Sequence, residues 1–283
     1  MDLAPEAAAK TLIYASLLLA IGANAARWLL APRITPQTGI TNDGFDRQLA
    51  QLCTAAAVVL LVAQLMRALA HTASAFGWSD AFAWSQLSVI ALESRWGEGW
   101  RIQVVSAGAL LAAVLLIRLH RRAGWMLTSA AVIACAASMP LLGHAASNRY
   151  GLLLHSAHIL GAGLWLGTLS CVLLVRGSGA ANLLRHFAPV ALTGAGVVVL
   201  AGSIAAIEYV GALSNLWSTS YGRTLLLKLT VVAGVVACGY RNWRHWAVMP
   251  AGDATDKRIE TTESILAFAI VIITSVLSEL AHP

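Results

Sequence analysis

Eight stretches of about twenty apolar residues, each separated from the next by a short polar link, decide what this chain can fold into. They run over roughly 8–30, 50–75, 100–119, 124–142, 151–175, 187–210, 222–246 and 260–281. In hydrocarbon a backbone finds no water to bond, so each stretch must satisfy its own amides and carbonyls as a helix. The reading is an all-α polytopic membrane protein with eight transmembrane helices in a lipid bilayer. Composition agrees: 11% of residues are charged, against about 25% in an ordinary soluble domain. A ninth apolar run, residues 81–92, is too short to cross and is expected to lie along the interface or to re-enter.

A net charge of +6 does not indicate nucleic acid here. The basic residues gather between apolar segments instead of forming one face interleaved with exposed aromatics. Twelve of the nineteen follow odd-numbered helices: Arg27, Arg33, Arg47, Arg118, Arg121, Arg122, Arg176, Arg185, Arg241, Arg244, Lys257 and Arg258. Six fall at the other ends, and Arg67 lies inside the second helix. Basic residues favour the cytosolic side, so both termini are expected outside. The opening MDLAPEAAAK has no basic n-region, which predicts that the first segment is retained. The absence of a phosphate-cradling loop, a nucleophile elbow or HExxH disfavours catalysis on a soluble substrate.

The chemistry concentrates between Ser138 and Thr168. His144 closes one apolar segment, and His155 and His158 open the next on one helical face. At 1.5 Å per residue they lie roughly 6 to 12 Å below the outer start of their helix. Three imidazoles near one membrane face suit copper or zinc, and thioethers from Met139 and Met66 would favour Cu(I). The same histidines can instead serve as hydrogen bonders between helices. Trp165, two turns after His158, shares its face and would wall a pocket. His71 and His282 fall at the same membrane face as further ligands, and His71 with His155 or His158 would also suit the axial positions of haem b in a membrane electron carrier.

Arg67, Glu208, Lys228 and Glu279 are charges inside or at the ends of apolar helices, which implies either a hydrated vestibule or ion pairs. Cys53, Cys135, Cys171 and Cys238 show no framework spacing. They read as packing residues, with stepping stones for a soft cation as the alternative. Gly161-Ala162-Gly163 and Gly194-Ala195-Gly196 permit close helix approach, and most tryptophans sit at segment ends as an aromatic belt.

A faint repeat runs through the chain. Arg95-Trp96-Gly97 opens the third helix and Ser220-Tyr221-Gly222 the seventh. Four helices lie between equivalents, which predicts two similarly oriented four-helix halves, 1–142 and 143–283. The run GHA…LLHSAHILGAGLWLGTL, the Phe-Ala-Pro-Val of 187–190, then SYGRTLLLK, RNWRHWAVMP and the closing His282-Pro283 resemble the copper resistance D family (CopD/PcoD) over residues 138 to 283. The resemblance falls on His144, His158 and Trp165-Leu166-Gly167. It departs at Gly167-Thr168, where Gly-Gly is common, and at His155, where an acidic or polar residue is expected. It implies an inner-membrane protein that takes copper, as Cu(I) or Cu(II), from the periplasm toward the cytosol, beside a separate periplasmic copper carrier of the CopC type.

Overall fold

The computed structural model describes residues 4–34, 41–142, 149–175, 180–248 and 257–280. Eleven α-helices occur among them: α1 (Ala4–Leu29), α2 (Asn42–Phe76), α3 (Trp84–Ser88), α4 (Arg95–Leu116), α5 (Arg121–Ser138), α6 (Arg149–Ala162), α7 (Thr168–Leu174), α8 (Ala180–Val210), α9 (Asn215–Ser218), α10 (Ser220–Val248) and α11 (Lys257–Leu277). Seven spans are long and apolar enough to cross a membrane, the fifth being α6 and α7 read through a π turn at Gly163–Gly167. The eighth expected span is α11, whose described apolar part, Ile265–Leu277, is shorter. Residues 81–92 form α3 and a π turn at Val89–Glu93, with no buried side chain in either, so this run does not cross.

The first helix is the hub because its residues are small. Ala20, Ala23 and Ala26 are fully buried, and α1 packs on α2, α5, α7, α11 and the π turn. Its closest crossing is glycine on glycine: a Cβ on Gly22 would overlap the Gly167 backbone, and one on Gly167 would overlap the Leu18 carbonyl. Lipid gives helices no hydrophobic reason to associate, so such close dispersion contact supplies the attraction. Gly161 and Gly194 bring α6 and α8 together in the same way, whereas Gly196 faces open space.

The start of α1 and the end of α11 lie at one face of the bundle, called here the terminal face, where Lys10 of α1 pairs with Glu279 after α11 at 2.7 Å. The opposite face is closed by a charge cluster. Asp46 of α2 is paired by Arg27 and, at 2.6 Å, by Arg121, whose guanidinium also reaches Asp43 at 2.6 Å.

Two corners of the terminal face share a construction. After α2 and after α8 the chain turns through a glycine of positive φ, Gly77 (91°) and Gly211 (68°). A short helix follows, and then a hydroxyl caps the next long helix: Ser94 accepts from Gly97 N at 2.9 Å, and Thr219 accepts from Gly222 N at 3.0 Å. The capping glycines press on the short helices, since a Cβ would strike the Ile90 carbonyl at Gly97 and the Asn215 carbonyl at Gly222.

Candidate functional site

A cavity of about 270 Å³ opens within the terminal half of the bundle, between α1, α6, α8, α10 and α11. His155, His158 and Trp165 from α6 and its π turn line it, with Met139 from the 3-10 turn that ends α5. The π turn adds a residue to the helical register at the position of Trp165, a distortion common at functional sites.

The two imidazoles are held in ways that leave a ring nitrogen available. His155 Nδ1 lies 3.2 Å from the Gly151 carbonyl. A carbonyl only accepts, so Nδ1 carries the proton and Nε2 keeps its lone pair. The ring also meets Tyr209 edge-on, with centroids 5.6 Å apart. His158 Nδ1 is buried against the α8 backbone near Val198 and Gly202, with no hydrogen bond of good geometry. That nitrogen is closed off, which leaves Nε2 for a ligand in the cavity. The anchoring of His155 Nδ1 on backbone, with Nε2 left over, is the usual arrangement of a metal-ligating histidine.

Met139 is positioned from behind. Gln103 of α4 donates to the Ser138 carbonyl at 3.0 Å and to the Met139 carbonyl at 3.2 Å. Its own carbonyl accepts from Arg67 Nη1 at 3.2 Å, and the Arg67 guanidinium also lies over the Trp96 ring. Gln103 is fully buried, so this network fixes the 3-10 turn that carries the thioether.

The charges expected from the sequence divide. Lys10 and Glu279 form a buried ion pair, to which Ser278 adds two hydrogen bonds with Lys10 at 3.2 Å. Arg67 and Lys228 line the cavity beside Lys10, while Glu208 is exposed.

Of the expected ligands, the structure therefore brings together His155, His158 and Met139, with Trp165 as wall. Met66 is exposed at 42% and lies off the cavity, because one helical step rotates it about 100° from Arg67, whose side chain does line it. His71 belongs to a separate cluster. It bonds Glu6 at 3.1 Å, stacks on Trp96 with centroids 4.2 Å apart, and does not line the cavity that holds His155 and His158. His144 and His282 lie outside the described residues. Lys10, Gln103, Tyr209 and Tyr221 were not singled out as site residues in the sequence; only the placement of Tyr221 at a helix start, beside Gly222, carried a signal.

Two family profiles match the chain: one described as copper resistance protein D-like, N-terminal domain, over residues 1–152, and one described as copper resistance protein D, over 181–277. His155, His158 and Trp165 fall between them. The copper transport protein CutJ of Bacillus subtilis (strain 168) is 25% identical over 167 residues, which cover 54% of this chain and 31% of that relative. The chain thus spans about a third of the length of the curated relative it matches. No solved structure matches.

Proposed function

The chain belongs to the copper resistance protein D family, and from that premise we propose that it accepts copper in the terminal-face cavity and passes it across the inner membrane. The observation that carries this reading is that His155, His158 and Met139 line one cavity, with His155 Nδ1 held by the Gly151 carbonyl. Two imidazole nitrogens and a thioether are a donor set for copper, with the sulfur favouring Cu(I).

The side from which copper arrives follows from charge. Arg27, Arg33, Arg47, Arg118 and Arg121 gather at the opposite face, so that face is the cytosolic one and the cavity opens to the periplasm. A periplasmic carrier of the CopC type would deliver its copper there. Onward from the cavity, Cys135 stands one turn before Met139 on the same helical face. Cys53 is within electrostatic reach of both Cys135 and Cys171, and all three are buried. A soft ion moving between them would exchange soft donors throughout.

The test is Cu(I) stoichiometry and affinity of the detergent-purified chain beside the His155→Ala/His158→Ala variant, followed by uptake in oriented vesicles. The expected result is one Cu(I) per chain, lost in the variant, with accumulation from the cavity side. Equal copper in both proteins would overturn the assignment.

A further inference from the structure

Among the described residues, three cationic side chains line the cavity, Lys10, Arg67 and Lys228, and no carboxylate does. Lys10 is neutralised by Glu279. Arg67 is 6% exposed; it gives Nη1 to the neutral Gln103, and its Nε is buried without a partner. Lys228 forms no hydrogen bond or ion pair with any described residue. Counted from their helix ends, Arg67, Lys228 and His158 all lie roughly 12 to 14 Å below the terminal face. Lys228 thus stands without a partner among the described residues, at the depth of the imidazoles, in a setting where an isolated charge is strongly disfavoured, while Arg67 has Glu6 and Glu279 within electrostatic reach.

A bare copper ion placed on His155 and His158 would add a further positive charge at short range and low dielectric, where repulsion is least screened. A Cu(I) ion that brings one anionic donor adds none, and its anion offers Lys228 the partner it lacks. We infer that the cavity takes copper together with a coordinating anion of the halide or thiolate class, the metal on the His155 and His158 nitrogens and the anion against Lys228. The anion donates a lone pair to the metal and no electron is transferred. This inference rests on the copper reading above and specifies the form in which the metal is held.

Cu(I) binding by the purified full-length chain would be measured at fixed free Cu(I), set by a chromophoric chelator with ascorbate as reductant. The titration would be run in a non-coordinating anion, then with added chloride, then with a small thiol. At fixed free Cu(I), chloride or the thiol should tighten wild-type binding about tenfold, within the range for two directly coupled ligands. Lys228→Met should abolish that dependence, and Lys228→Arg should keep it, which separates charge from folding. Wild-type binding indifferent to both anions would overturn the inference while leaving the copper site standing, as would an unchanged anion dependence in Lys228→Met. A dependence on chloride alone or on the thiol alone would identify the anion class. Absence of copper under every anion would instead sink the copper reading itself.

Discussion

The corner between α2 and α4 and the corner between α8 and α10 are assembled from the same parts: a positive-φ glycine, a short helix, a hydroxyl cap and a glycine pressed on that short helix. Six residues past the capping glycine the first corner places Gln103 and the second Lys228. Gln103 is fully buried and spends its amide on Arg67 and on the Ser138 and Met139 carbonyls. Lys228 opens on the cavity and has no partner among the described residues. One scaffold position therefore serves structure in one corner and faces the cavity in the other. Polar groups buried in a membrane protein persist where they are satisfied internally or where they act on something that arrives.

The largest effect expected is at the site between the corners. His155→Ala/His158→Ala should weaken Cu(I) binding about 100-fold or more, since even the outer partners of metal ligands are worth 10- to 100-fold. Chelator competition measures it, and a smaller loss would mean that the open corner does not serve a copper site. Next comes the closed corner itself. Gln103→Leu strands Arg67 and two buried carbonyls, which should cost about 2 to 4 kcal/mol and appear as a fall in thermal stability in detergent. Unchanged stability would break the claim that this corner is structural. Met139→Leu keeps volume and removes only the sulfur, so about a tenfold loss of Cu(I) affinity without loss of stability is expected. His71→Ala should cost about 1 kcal/mol through its Glu6 bond and Trp96 stack, and leave copper binding within twofold. The smallest effect is predicted for Lys228→Met, whose stability should be unchanged or raised by about 1 kcal/mol, the opposite sign from Gln103→Leu.

The helices were legible because hydrocarbon thickness sets a length that hydropathy reads directly. Their ends were less so. The apolar pattern begins α2 near residue 50, whereas the helix begins at Asn42 with two polar turns capped by Thr41, beyond the reach of a hydropathy signal. That His155, His158 and Trp165 share a cavity was legible because they are local in sequence and helical spacing places them, whereas Met139 reaches it from the end of the preceding helix. Met66 was not, since its rotation about α2 depends on which neighbours that helix packs against, and the same holds for His71. Gln103 and Lys10 escaped because their partners stand 35 or more residues away in sequence, and only the packed bundle brings them together. The π turn at Gly163–Gly167 had no signal beyond a Gly-rich run that reads equally well as packing.

X-ray absorption at the copper edge of the Cu(I)-loaded chain tests the central claim most directly, because it counts the donors around the metal. The account predicts two imidazole nitrogens and one thioether sulfur in wild type, with the sulfur lost in Met139→Leu and the imidazoles lost in His155→Ala/His158→Ala. The same spectrum from all three proteins would contradict it.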